Sequence, residues 1–207
     1  MSENNANNPN HPQKGSATKV EPIKAIKAIK AIKRIKKLRE DNPRDYCLFT
    51  MGINTAFRAC ELLSIKVGQV NYLRAGDELS LKQSKNKKYR SVTVNGAVVR
   101  AVDLWLKYHP CPGNDQAPLF ISRKGHKAIT VSTLNNMVKT WCAEVGLRGN
   151  YGSHSLRKTW GYQQRVLKGK PIPLLMSAFG HATQSQTLDY LCIQDEEIEN
   201  LYLDMEL

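Results

Sequence analysis

The 207-residue chain has no apolar run approaching the roughly 18 residues that a membrane-spanning helix requires, although hydrophobic residues make up 41% of it. A helical membrane protein is excluded. Its five cysteines, Cys47, Cys60, Cys111, Cys142 and Cys192, are odd in number, scattered, and include no C-x-x-C pair. Neither a disulfide framework nor a zinc ribbon is suggested, and reduced, mostly structural thiols are expected. The N-terminus lacks a charged region followed by an apolar block and a small-residue cleavage site, so secretion is not indicated and the cytoplasm is the expected compartment. The sequence contains no G-x-x-x-x-G-K-[ST], no G-x-G-x-x-G and no G-x-S-x-G, which removes the best signals for ATP use and serine acyl transfer. His11, His109, His126, His154 and His181 form no H-E-x-x-H, and no Cys/His spacing suits a tetrahedral site, so neither a metal nor a cofactor is expected.

Acidic residues are also few: 18 Asp and Glu stand against 31 Lys and Arg, a formal charge of +13. That balance favours a polyanionic partner, nucleic acid before an anionic membrane surface. The length suits one domain of roughly 100 to 200 residues with a short appendage. Residues 1–22 read as a flexible polar tail, since residues 1–19 hold five Asn and two Pro with almost nothing apolar. Residues 23–40 form a low-complexity basic lead-in, with Ile23, Ile26, Ile29, Ile32 and Ile35 each followed by a lysine. A three-residue period drifts about 60° per repeat on a helix, so only part of this run can face one core. Its lysines are either a solvated face or contacts to DNA phosphates.

Residues 41–194 carry the alternating helical and strand patterns of the main domain. Asp41-Asn42-Pro43 signals a helix from about Arg44 through Met51. A second helical pattern covers Phe57 to Leu63. Period-two alternation at Leu79-Ser80-Leu81 and Val92-Thr93-Val94 flanks the cationic turn Lys85-Asn86-Lys87-Lys88, which reads as a hairpin with a basic tip. Helical spacing returns at Ala97–Trp105 and Val131–Val145, then around Ser155–Leu167, Pro173–Phe179, Gln186–Leu191 and Glu196–Met205. The class is mainly α with a small antiparallel β-sheet (α+β).

In Gly152-Ser153-His154-Ser155-Leu156-Arg157, an imidazole and a guanidinium three residues apart share a helix face near the helix N-terminus, where both can hold one phosphate. Alone, such a pair is more often solvated surface. Further on, His181 in Phe179-Gly180-His181 precedes Tyr190 by nine residues. Together these resemble the tyrosine recombinase (phage integrase) family, whose H-x-L-R and L-G-H motifs and following tyrosine are matched at His154, Leu156, Arg157, Gly180, His181 and Tyr190. The family's T-G-L-R-x-x-E-L helix is similar to Thr55-Ala56-Phe57-Arg58-Ala59-Cys60-Glu61-Leu62, which carries over Arg58 and Glu61. Its hairpin lysine, counted back from Arg90, falls on Lys85. Ala56 departs from the common Gly, Phe179 from Leu, and Lys158 from the frequent His or Arg; none removes a reacting group.

The resemblance implies a tyrosine recombinase catalytic domain fold and a site-specific DNA recombinase that cuts and rejoins strands through a 3′-phosphotyrosine. Tyr190 would be the nucleophile, with Arg58 and Arg157 as bidentate donors to the phosphate. Lys85 would protonate the leaving 5′-oxygen, His154 and His181 would orient phosphate or move protons, and Glu61 would support its neighbours. Lys87, Lys88, Arg90 and Lys158 are the expected DNA contacts. Double-stranded DNA is the expected partner, without a membrane, in a synaptic tetramer associated with the nucleoid. Few residues precede the helix at Arg44, so the DNA clamp looks one-sided, as in short members such as fimbrial phase-variation invertases, unless the chain is a fragment. The alternatives are a non-catalytic or accessory DNA-binding protein and a type IB topoisomerase-like nicking and resealing activity. Residues 195–207 hold six carboxylates and no Lys or Arg, with Ile198, Leu201, Tyr202 and Met205 at the spacing of an amphipathic helix.

Overall fold

A computed structural model describes residues 20–24, 26–82, 89–123, 125, 127–193, 199 and 202–203. The polar stretch 1–19, the hairpin tip with Lys85, Lys87 and Lys88, and most of the acidic C-terminal segment, including Ile198, Leu201 and Met205, lie outside the described residues.

Among the described residues the chain forms α1 (Ile26–Leu38), α2 (Pro43–Gly52), α3 (Ala59–Leu63), β1 (Glu78–Lys82), β2 (Tyr89–Thr93), α4 (Gly96–Leu106), α5 (Val131–Glu144), α6 (Ser153–Val166), α7 (Ile172–Phe179) and α8 (Gln184–Leu191). This is the expected mainly helical class with one two-stranded antiparallel sheet. Helix starts follow their capping residues. Asn42 accepts from the Asp45 N–H ahead of Pro43, Asn95 caps α4, Thr130 caps α5 and Thr183 caps α8, each side-chain oxygen taking an otherwise unpaired backbone donor.

One hydrophobic cluster joins Cys47, Leu48, Phe49 and Met51 of α2 to Val98, Val102 and Trp105 of α4 and to Leu134, Val138 and Trp141 of α5. Phe49 meets Trp141 edge-on, with ring centroids 5.7 Å apart. Each large side chain so buried contributes about 1.5–3 kcal/mol. Among the described side chains of α1, Ile35 joins this core with Ile32 at its margin, and Ala31 is buried one turn earlier, while Lys30, Lys33, Arg34 and Lys37 stay exposed.

A second, smaller cluster comprises Ala56, Tyr162, Ile172, Leu175, Phe179, Leu191 and Ile193, with Trp160, Leu188 and Tyr190 packed on its margin. Gly161 makes it possible: a Cβ there would lie 2.4 Å from Phe179 Cζ and 2.7 Å from Leu191 Cδ2, so α6 receives α7 and α8 only without a side chain.

The helix expected from Phe57 starts two residues later. Ala56 adopts a left-handed φ of 53°, and Arg58 is the extended residue capping α3, its N–H donating to Glu61 Oε2 at 2.7 Å. In the sheet, Leu79 pairs with Val92 and Leu81 with Arg90. Directly opposed residues share a face, so the buried Leu81 turns Arg90 inward.

Candidate functional site

The start of α6 is fixed from both sides. Ser153 N–H donates to Asn135 Oδ1 at 3.1 Å, and Gly152 N–H donates to Ser155 Oγ at 3.1 Å. The first turn leaves His154 open to solvent and places Arg157 inside at 3% exposure. Arg157 Nη2 donates to the Phe179 carbonyl at 2.8 Å, Nη1 donates to the Ala56 carbonyl, and Cζ lies 4.7 Å from the Phe179 ring centroid. One guanidinium thereby joins the turn before α3 to the end of α7. Two of its five N–H donors are used on these carbonyls, which leaves others for an anion.

Arg58 Nη1 donates to Glu61 Oε1 at 2.8 Å, so Glu61 grips both the backbone and the side chain of Arg58. Burial pushes the Glu61 carboxyl up, but these bonds, together with the charges of Arg90 and Arg58, hold it below the usual carboxylate range. Arg90 enters from β2, and its Nη2 donates to the Ala178 carbonyl; its Nε is buried without a hydrogen-bond partner. Desolvation lowers the Arg157 pKa to about 10, with Arg90 and Arg58 adding repulsion against the opposing pull of Tyr190 and Glu61. At neutral pH the Arg157 guanidinium therefore remains charged.

Tyr190 hangs from α8 into this field. Its ring meets His181 at 5.1 Å and Phe179 at 5.3 Å, both edge-on, and Lys158 Nζ lies 4.9 Å from its centroid. Its hydroxyl is buried and makes no hydrogen bond of ordinary geometry. Burial raises the phenol pKa, against the opposing influence of Arg157, then Arg58 and Arg90. His181 stacks on Phe179 and shares a 3.0 Å hydrogen bond with Thr187 Oγ1 through Nδ1. Desolvation, then Arg157, Arg58 and Arg90, depress its pKa to about 4, so its ring is neutral at physiological pH. Although His154 reaches solvent, the protein around it and the cations Arg157, Lys158 and Arg58 lower its pKa as well.

Arg58, Glu61, His154, Arg157, His181 and Tyr190, all selected from sequence, therefore meet in one place. Lys85, Lys87 and Lys88 lie outside the described residues. Arg90 and Lys158, expected as DNA contacts, are placed differently: Arg90 points into the constellation, and Lys158, 3% exposed, packs against the Tyr190 ring with its Nζ 3.6 Å from Cys192 Sγ. The alternation of Arg90 with the half-buried Val92 was the available signal for Arg90. Phe179, which stands in the sequence motif only as a departure from Leu, touches Arg157, Trp160, His181 and Tyr190. A separate cavity of about 540 Å³, lined by Arg39, Arg44, Arg123 and Trp141, shares no residue with this constellation.

The mainly helical architecture is that of tyrosine recombinase catalytic domains. The phage integrase family pattern matches residues 22–197, and the chain belongs to that family. It is 30% identical over 167 residues to the probable integrase/recombinase YoeC of Bacillus subtilis, a match covering 80% of this chain and 86% of YoeC. It is 29% identical over 157 residues to the tyrosine recombinase XerC of Caldanaerobacter subterraneus, covering 75% of this chain but 43% of that protein. The chain thus spans most of YoeC and less than half of that XerC. Among solved structures, XerA recombinase superposes with a TM-score of 0.71 at 20% identity, over 89% of this chain and 65% of XerA. XerH bound to a palindromic difH substrate, a post-cleavage complex, gives 0.71 at 23% identity, over 90% of this chain and 53% of XerH.

Proposed function

We propose that this protein is a site-specific DNA recombinase, acting on double-stranded DNA through a 3′-phosphotyrosine intermediate. The observation that carries this reading is the Tyr190 hydroxyl, buried with no hydrogen bond of ordinary geometry beside Arg157, Arg58 and Arg90, with Glu61 the carboxylate among them. A buried polar group without a well-formed hydrogen bond is costly, and so is an excess of cations; a phosphodiester relieves both.

In the proposed step the Tyr190 oxygen attacks phosphorus as Arg58 and Arg157 stabilise the charge that develops on the non-bridging oxygens. The P–O3′ linkage stays, the P–O5′ bond breaks, and Lys85 supplies a proton to the departing 5′-oxygen. His154 binds the phosphate from the start of α6. The neutral His181, against the Tyr190 ring, accepts the proton that the phenol loses as its oxygen bonds phosphorus. Attack by another 5′-hydroxyl on the phosphotyrosine reverses the sequence and joins new strands, with no nucleotide consumed. Assembly of four copies on paired sites, location at the nucleoid, and a catalytic unit over residues 41–194 flanked by the basic lead-in belong to the same proposal.

The test is a suicide duplex nicked near the cleavage point, in EDTA. The expected result is a denaturation-resistant protein–DNA adduct that Tyr190→Phe abolishes. An identical adduct from Tyr190→Phe, or its loss on chelation, would overturn the reading.

A further inference from the structure

Residues 20–24, ahead of α1, lie in an extended path along α6. Glu21 N–H donates to the Asn150 carbonyl at 2.8 Å. Ile23, fully buried, donates its N–H to Thr159 Oγ1 at 2.9 Å and accepts from Gln163 Nε2 at 3.2 Å. The next residue, Lys24, passes the Tyr162 ring at 5.7 Å and donates from Nζ to the carbonyl of Cys192 at 2.7 Å.

Cys192 is where the tyrosine helix stops. It takes a left-handed φ of 58°, unfavourable for a side chain other than glycine, and its N–H closes α8 on the Leu188 carbonyl. A helix C-terminus carries partial negative charge on its last carbonyls, so an ammonium bonded just beyond it is favoured twice, by charge and by hydrogen bond. From the other side Lys158 approaches both the Cys192 sulfur and the Tyr190 ring. The end of α8 is thus held by two cations, one from α6 and one from the segment that leads into the Ile-Lys-Ala helix. Tyr190 lies two residues before Cys192, so the placement of that end sets where its hydroxyl stands.

We infer that Lys24 is a positioning residue for the Tyr190 nucleophile, and that the segment before α1 is a strap coupling the basic N-terminal helix to the tyrosine helix. The inference rests on the proposed phosphotyrosine reaction for its kinetic consequence, but its structural part does not require DNA. Lys24 touches no reacting atom; it acts through Cys192.

The experiment compares the full-length wild type with Lys24→Met and Lys24→Arg in two measurements. In single-turnover cleavage of the nicked duplex, Lys24→Met lowers the rate between about 10- and 100-fold, the scale of misplacing a reacting group by up to an ångström, with DNA Kd changed less than about twofold. Lys24→Arg restores most of the rate. In amide exchange of the free protein, Lys24→Met speeds exchange over residues 190–193 and leaves α2 unchanged. Equal losses of rate and DNA affinity would make Lys24 a phosphate contact and overturn the inference, as would unaltered exchange at 190–193 or an unaltered cleavage rate. If the wild type itself forms no adduct, the recombinase reading falls, while the exchange comparison still decides whether Lys24 secures the helix end.

Discussion

The larger hydrophobic cluster draws on α1 to α6 and both strands, whereas the smaller has seven buried side chains, most of them on α6, α7 and α8. The larger one carries Arg58 at the cap of α3, Glu61 within it and Arg90 on β2. The smaller one carries Tyr190 and His181. In the proposed reaction, anion holding falls to the well-buried body, and the attacking group to a body with little core of its own. Regions with few buried contacts open at lower free energy than the whole molecule, so the proposed nucleophile sits on the part most able to move. Arg157 ties two parts of the smaller cluster together, bonded to Ala56 in the turn before α3 and to Phe179 at the end of α7.

The sharpest way to break this division is to remove each arginine in turn. Arg58→Ala and Arg157→Ala should each lower single-turnover cleavage at least about 100-fold, the scale of losing an oxyanion donor. Only Arg157→Ala should also speed amide exchange in α7 and α8, because only it frees the Phe179 carbonyl. Equal exchange in both variants would mean that the Arg157 bonds do not hold α7 and α8 in place.

Gly161→Ala should follow in size. Its Cβ would enter the space of Phe179 and Leu191, an overpacking that costs about 1–3 kcal/mol, with the loss of protection concentrated in α7 and α8 and α4 unaffected. A smaller effect concerns pH. The folded His181 pKa is depressed to about 4 from an ordinary 6.5, so between those values the unfolded chain binds more protons. Its stabilising contribution is complete above about pH 6.5 and is lost as pH falls towards 4. His181→Gln should flatten stability over that window in denaturant titrations, and an unchanged slope would refute the assignment. Smallest should be Ala56→Gly. It relieves a left-handed φ at roughly 1–2 kcal/mol but adds about 0.5–1 kcal/mol of unfolded-chain entropy, for a net gain between about 0 and 1.5 kcal/mol in thermal unfolding.

The same division explains what could be read in advance. Caps such as Asn42 and Thr130, and the helical spacing of α2, α4 and α5, depend on neighbours a few residues away, and those elements form where their patterns indicate. His154, Arg157, His181 and Tyr190 were legible because the spacing within each pair is short and chemically unusual. Arg58 was found as a residue but not in its conformation: Phe57 looks helical by pattern, while the left-handed Ala56 and the Glu61 cap hold the chain extended until Ala59. By pattern alone a cationic side chain reads as outward-facing. Arg90 faces inward through strand register, Lys158 is buried because α8 crosses over it, and Lys24 meets Cys192 across 168 positions, relations that no local pattern contains.

The tryptophans are shared between the two bodies in a useful way. Trp105 and Trp141 belong to the larger cluster, and Trp160 packs on the smaller one against Phe179, at 5.6 Å between centroids. With Trp105 and Trp141 replaced by phenylalanine, the remaining indole becomes an optical gauge of the tyrosine-bearing body. Its emission colour would follow that body alone, so partial opening during DNA engagement can be watched in real time, with no attached dye and no assumption that the molecule melts as one.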